Sequence, residues 1–455
     1  MTSQTDISLS EYIAQSMRGQ NLHAFNSGSA LGPNFLSKDT YLTVANSTFA
    51  QTYGRKVWDA LNNRTVFYNA LKKVPWGPTA GWIERSDRGS GRMRPVTETG
   101  TLPTINVSTY QKVYTLPKIV AADFGVPIQS VIVNTLEGGM GDVMGAELQA
   151  CERDFVKGIN QMLTAGSVAL ISSGGQTTFV CPSATVANYF KIGDTVGFCD
   201  ASTGAEGDAG ETITVSSISS ATVTTSSHST ACANGDLIFI KSRAGHTSID
   251  DIVSEDGERA GGATMTSCGP KIYNQTSTRT AAAWNAGGYV GYNVGVSRPL
   301  TLNLLDTCIQ KCREAGGEPK LIMTGWDQYF NLERLLSAHQ RYMGQEEFQV
   351  GVGDERTLPG TKTGLVLSTY MGIPILPDVD CPKSIATDGT VLGSNLYVLD
   401  TDYLEFRIAV QPTYIENKDY FAASALVVRG LFYQLAELIC TRPDVQCKVA
   451  DLAAS

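Results

Sequence analysis

Apolar residues recur at helical spacing from Asp142 to Leu163, where Met144, Leu148, Cys151, Phe155, Ile159 and Met162 form one continuous stripe. The spacing predicts a single helix, roughly 30 Å long at 1.5 Å per residue. From Gly166 to about His246 the pattern changes to short alternating runs rich in Ser, Thr, Gly and Val. They are Thr195 to Phe198, Thr212 to Val215, Ala221 to Thr224 and Asp236 to Ile240, with turn residues between them. Such runs predict a small antiparallel barrel or sandwich. Helical periodicity returns after Ser297, in a segment that ends at Gly316-Gly317-Glu318-Pro319, whose apolar positions Leu304, Leu305 and Ile309 put Cys308 and Cys312 on the buried stripe. Lys320 to Met323 predicts a strand, and Trp326 to Tyr342 a second helix. Its first turn is expected to be capped by Thr324 with Asp327 answering three residues on, and its buried face to be Phe330, Leu332, Leu335 and Leu336. An apolar run, Ala425 to Cys440, closes the pattern.

The first part of the chain reads differently. A short amphipathic helix is predicted around Leu9 to Met17, then a polar extended stretch from Gln20 to Ser37, then a partly helical segment anchored by Val57, Leu61 and Leu71. Trp76 to Leu116 reads as a long hairpin. Its centre, Glu84 to Arg94, holds glycines for a turn and the arginines Arg85, Arg88, Arg92 and Arg94 beside the acids Glu84 and Asp87. The return limb, Ile105 to Tyr114, is rich in β-branched and aromatic residues. Limbs of roughly 15–20 residues reach about 50–65 Å at 3.3 Å per residue. A two-stranded ribbon of that length is not stable alone in water. It needs another surface, which argues for a partner subunit.

A chain of 455 residues exceeds one ordinary core, so two or three domains are expected. Hydrophobic content of 42% with 17% charged residues is that of a globular protein. The net charge of −9 argues against a protein that grips phosphate backbones, but suits a container whose surface does not hold its cargo. Met1 to Gly19 is polar and carries Asp6 and Glu11, so no signal peptide is expected, and no apolar run is long enough to predict a membrane span. The ten cysteines include no CxxC pair and are read as free, small apolar core residues, made in a reducing cytoplasm.

Candidate chemistry changes this picture little. His23, His228, His246 and His339 lie far apart and in no metal-binding motif, so they are expected at the surface or locally hydrogen-bonded. Gly351 to Arg356 lacks the third glycine of a dinucleotide loop, and Gly89-Ser90-Gly91 lacks the strand–helix setting of a nucleophile elbow. Glu346-Glu347 and the Asp378/Asp380 pair are expected as solvated loop carboxylates. No catalytic, cofactor-binding or metal-binding residue is therefore expected. The candidate functional residues are inter-subunit contacts on the hairpin: Trp82, Arg85, Arg88, Arg92, Arg94 and Glu98. The interleaved acids Glu84, Asp87 and Glu98 favour salt bridging between subunits over DNA binding, at modest value per exposed pair.

The order of arm, charged hairpin, strand segment Lys112 to Val126, long helix and α/β body resembles the major capsid proteins of tailed phages, whose fold encapsulin shells share. Local phrases carry the likeness: Glu98-Thr99-Gly100-Thr101-Leu102-Pro103, Ser297-Arg298-Pro299-Leu300-Thr301, Met371-Gly372-Ile373-Pro374 and Asn395 to Asp400. The resemblance implies an α+β chain with an N-terminal arm (1–75) and an E-loop hairpin (76–116) that lies across an adjacent subunit. A peripheral domain with a spine helix (117–165, continued at 247–287 and 423–455) and an axial domain (288–422) follow. Residues 166–246 depart from the minimal pattern as an inserted all-β domain. The resemblance further implies self-assembly into hexamers and pentamers of a virion capsid, built in the host cytoplasm. Scaffolding, portal and decoration proteins would be its partners, and double-stranded DNA would be enclosed without sequence-specific binding. No cofactor and no membrane would be involved. Some members crosslink through a hairpin lysine. No lysine lies between Lys73 and Lys112, so no such crosslink is expected. Two alternatives stand beside this reading, an encapsulin-like compartment shell and a β-rich adhesin or tail protein.

Overall fold

The structure, a computed structural model, describes residues 66–77, 81–85, 98, 100, 110–127, 143–200, 206–207, 211–254, 272–274, 288–293, 295–337, 369–386, 388–417 and 427–454. The expectations for the arm (1–65), for Arg88, Arg92 and Arg94, for His23 and His339, for Glu346-Glu347 and for Gly351 to Arg356 fall outside these residues. The chain divides into two compact units. One comprises Met1–Asn63, Asp123–Cys151 and Glu416–Gly430, and its described residues are the end portions of four elements. The other, Arg64–Ala122, Glu152–Ile415 and Leu431–Ser455, holds the features that follow.

The fold is a mixed one, with many strands and few helices. The predicted long helix runs Val143–Thr164. Its stripe residues Phe155 and Ile159 are buried in a core with Phe67, Val120, Leu404, Phe406 and Leu438, and Leu163 takes the buried position expected of Met162, which is half-buried. Part of that core is a four-stranded sheet in the order Lys72–Pro75, Leu404–Asn417, Val427–Cys440, Lys118–Pro127. The first two strands are parallel, from Lys72↔Glu405 to Pro75↔Ile408.

All four alternating runs between Gly166 and His246 are strands of one eight-stranded sheet: Thr195–Cys199, Ile213–Ser219, Thr222–Thr225 and Leu237–Ser242. Their inward residues, among them Val196, Phe198, Val215, Val223, Ile238 and Ile240, close a second core with Phe179, Phe190 and Ile385. Packing is tight enough that a Cβ at Gly207 would collide with the Phe198 ring.

A six-stranded mixed sheet forms the third core. Leu321–Thr324 lies at its centre, parallel to Ile373–Pro377 and antiparallel to Leu396–Leu399. The helix Leu302–Glu314 starts where the Thr301 hydroxyl accepts the Leu304 N–H, and ends before Gly316, whose φ of 85° a residue with a side chain rarely adopts. Leu305, Cys308, Ile309 and Cys312 are buried, as the stripe predicts.

Several expectations are corrected. Thr324 does not cap the next helix, Trp326–Ser337. It ends a strand, and its hydroxyl donates to the Asn395 carbonyl at 3.1 Å. Asp327 instead accepts the Ser394 N–H at 2.8 Å, because the neighbouring strand offers it a donor. Phe330 is 48% exposed, while Tyr329 takes the buried position with Leu332 and Leu336. The strand predicted from Lys112 to Val126 is two strands, Tyr110–Tyr114 and Lys118–Pro127, parted at Thr115-Leu116-Pro117, since Pro117 has no N–H for a ladder. Asp378 is fully buried rather than solvated. It accepts from the Phe67 N–H, the Asn160 amide and the Asp380 N–H, and burial raises its pKa above the ordinary value. His246 is also fully buried, edge-on to the Phe406 ring. His228, by contrast, is locally hydrogen-bonded as expected: buried, it donates from Nδ1 to the Thr230 carbonyl at 2.6 Å. Among the described residues eight cysteines are buried outside any disulfide, but Cys199 is disulfide-bonded, against the reading of free thiols throughout.

Candidate inter-subunit surface

The described base of the hairpin is a ribbon of Gly81–Arg85 against Tyr110–Tyr114, in register from Gly81↔Tyr114 to Arg85↔Tyr110. Opposed residues of an antiparallel pair share a face, and faces alternate along each strand. Trp82 and Val113 thus point one way. Val113 is fully buried, and the Trp82 ring packs edge-to-face on Tyr273, with centroids 5.5 Å apart at 80°. Glu84 is two residues along the same face. Burial raises its carboxyl pKa, with Asp444 adding to the effect and Arg442 opposing it.

The other face is open and carries apolar side chains on either side of the exposed Lys112, which lies opposite Ile83. Ile83 is 72% exposed, Tyr110 65% and Tyr114 49%, and the chain continues through Leu116 at 73% and Ile119 at 65%. A run of exposed apolar side chains on adjoining positions marks a contact surface more often than it marks bare protein. Sequence reading singled out the ribbon by its charges and missed this face. The signal for it is the alternation of Tyr110, Lys112 and Tyr114 read in register with Ile83, and a register cannot be read from one strand.

Of the six hairpin candidates, Trp82 is half-buried against its own chain, the Arg85 backbone ends the ribbon opposite Tyr110, and Glu98 is exposed. The structure does not join these three into one cluster.

The charged groups inside the body are taken up by structure. Lys448, 1% exposed, is 2.9 Å from Asp250, which also accepts from the Tyr397 hydroxyl at 2.7 Å and from Ser167. Arg243 pairs with Asp251 and donates to the carbonyls of Tyr189 and Gly166. Ser248 and Asp251 form a capping box on the buried helix Ile249–Val253. Glu437, fully buried, is 3.1 Å from Lys118 and accepts the Thr247 N–H. Each charge is matched to a partner that fixes an element, as buried charges require. Among the described residues no group of three or more His, Cys, Asp or Glu is placed to hold a metal ion, and no helix is long and apolar enough to cross a membrane. A shallow surface groove of about 540 Å³ lies between the Leu302–Glu314 helix and the Tyr370-Met371 turn, where the Tyr370 hydroxyl donates to Asp306 at 2.6 Å.

No protein-family model matches the sequence, and no curated protein matches it. Among solved structures the chain is similar to the capsid asymmetric unit of cyanophage A-1(L), at 13% identity over 85% of this chain and 92% of that one, with a TM-score of 0.49. It is similar to the capsid of the native GTA particle at 10% identity, over 86% and 90% of the two chains, with a TM-score of 0.43. The holo-SrpI encapsulin complex from Synechococcus elongatus PCC 7942 matches at 7% identity, over 86% and 88%, with a TM-score of 0.39. At these values the geometry of the chain itself carries the functional reading.

Proposed function

We propose that this chain is a shell subunit, a major capsid protein that assembles with copies of itself into pentamers and hexamers of an icosahedral head around double-stranded DNA. The observation that carries the reading is the ribbon. One face is seated on its own body through Trp82 and Val113, and the opposite face presents Ile83, Tyr110 and Tyr114 to solvent. A second copy of the chain is the partner that self-assembly supplies, and repeated rotational contacts of this kind close a shell. In this reading Arg85, Arg88, Arg92, Arg94 and Glu98 meet a neighbour beyond the apolar contact, and Trp82 sets the base from which they reach. The long helix is the spine of a peripheral domain, the six-stranded sheet belongs to an axial domain, and the strands between Gly166 and His246 are an insertion.

Negative-stain electron microscopy of the purified full chain tests the proposal. Round shells or capsomer rings are expected, and DNA content against protein cargo separates a viral head from a compartment shell. The double variant Ile83→Asp/Tyr110→Ser should stay folded and fail to assemble. A wild-type chain that remains a monodisperse monomer or trimer overturns the reading.

A further inference from the structure

Residues Tyr273 and Asn274 sit where the ribbon leaves the body, and their contacts fall on both sides of that junction. The Asn274 side chain works along Tyr110–Tyr114 as a single residue of a neighbouring strand would. Its Oδ1 accepts the Tyr114 N–H at 3.0 Å, and its Nδ2 donates to the Lys112 carbonyl at 3.3 Å. The preceding residue holds the body. The Tyr273 hydroxyl donates to the Leu438 carbonyl at 3.1 Å and accepts the Cys440 N–H at 2.6 Å, both on strand Val427–Cys440. The Tyr273 ring is the surface on which Trp82 of the other ribbon strand rests. Tyr273 has a φ of 54°, in the left-handed region that a bulky aromatic residue rarely occupies. Backbone strain of this kind persists only where surrounding contacts over-determine it.

We infer that Tyr273-Asn274 is a clip that fixes the direction in which the ribbon leaves the body, and so sets the angle at which its apolar face meets a second copy of the chain. The two are positioning residues: neither lies on the exposed face itself. The inference rests on the shell reading for its consequence, while the clip is a property of the single subunit.

Two measurements on the full chain separate these layers. Hydrogen exchange of the unassembled subunit reads the clip. Asn274→Ala should expose the Tyr114 amide to exchange roughly tenfold faster while the core strands keep their protection. Asn274→Asp, which retains the acceptor for that amide, should keep most of its protection. Tyr273→Phe, which keeps the ring under Trp82 but loses both hydroxyl bonds, should loosen Cys440 and the ribbon together. Electron microscopy of assembled material reads the consequence: Asn274→Ala should give particles of mixed diameter or open sheets where wild type gives uniform ones, at an unchanged melting temperature. Unchanged exchange at Tyr114 overturns the clip. Faster exchange with wild-type particles overturns the positioning role. Failure of the wild-type chain to assemble overturns the shell reading and the positioning role with it, while the exchange result still decides the clip.

Discussion

Lys448 keeps an ammonium group in the core because Asp250 answers it at 2.9 Å. Burial alone would push the Asp250 carboxyl up. The lysine, helped by hydrogen bonds from Tyr397 and Ser167, outweighs it and holds the carboxyl well below the usual range. Removing one partner leaves a buried charge alone, so Lys448→Met should cost about 3–5 kcal/mol, and Lys448→Met/Asp250→Leu should recover part of that. Denaturant unfolding of the unassembled chain measures both, and a single-variant loss under about 1 kcal/mol would contradict the pairing. His246 is the opposite case. Burial, and then the nearby Lys118, lower its pKa to about 3. The folded state therefore disfavours the imidazolium, so stability present above pH 6.5 falls as pH drops from 6.5 towards 3. The slope from this one proton cannot exceed about 1.4 kcal/mol per pH unit. Glu437, beside the same lysine, acts with the reverse sign. Burial raises its pKa against the pull of Lys118 and Thr247, so its contribution is lost as pH rises through the raised value. Comparing His246→Leu with wild type at each pH cancels the Glu437 effect. The variant should show a flatter loss of stability between pH 6.5 and 4, and an unchanged slope would rule His246 out as its source.

At the scale of elements, the helix Trp326–Ser337 shows what hydrophobicity can and cannot place. Leu332 is 1% exposed, Phe330 48%. Leu332→Ala should therefore cost about 2–5 kcal/mol, while Phe330→Ser should stay within about 1 kcal/mol. Equal losses in thermal or chemical unfolding would restore Phe330 to the core. The sequence offers two adjacent aromatics, Tyr329 and Phe330, and a phase error of one residue selects the wrong one. Longer patterns are safer. The stripe from Met144 through Cys151, Phe155 and Ile159 to Met162 fixes its helix because many residues vote for one face, even though its last buried position falls on Leu163, and the alternating runs from Thr195 to Ile240 become strands for the same reason. The candidate surface was half legible. Charges and glycines marked the hairpin, but its apolar face depends on the pairing of Ile83 with Lys112 and of Gly81 with Tyr114, which neither strand reveals alone. Asp378 was illegible for a related reason. Its partners Asn160 and Phe67 are 218 and 311 residues away, so nothing local distinguishes it from a solvated loop carboxylate.

For the molecule as a whole, 44 acidic against 35 basic side chains leave a net charge of −9, and the arginines Arg88, Arg92 and Arg94 stand close together in the sequence. Two functions compete for that cluster. If it binds DNA, the unassembled chain should be retained on duplex DNA at low salt, and the triple variant Arg88→Ser/Arg92→Ser/Arg94→Ser should reduce the salt slope of binding by about 3. If it pairs with acids of a neighbouring subunit, DNA retention should be weak from the start and unchanged in the variant, because an acidic body opposes association with a polyanion. Assembly would bear the loss instead. The variant should need a higher subunit concentration to form particles, and the wild-type requirement should rise with ionic strength more steeply than that of the variant, since screening can only weaken charge pairs that are present. The shell reading predicts the second pattern. Tight, salt-sensitive DNA binding by the wild-type subunit, abolished in the variant while particles form normally, would move the arginines from the contact between copies to the contact with the enclosed duplex.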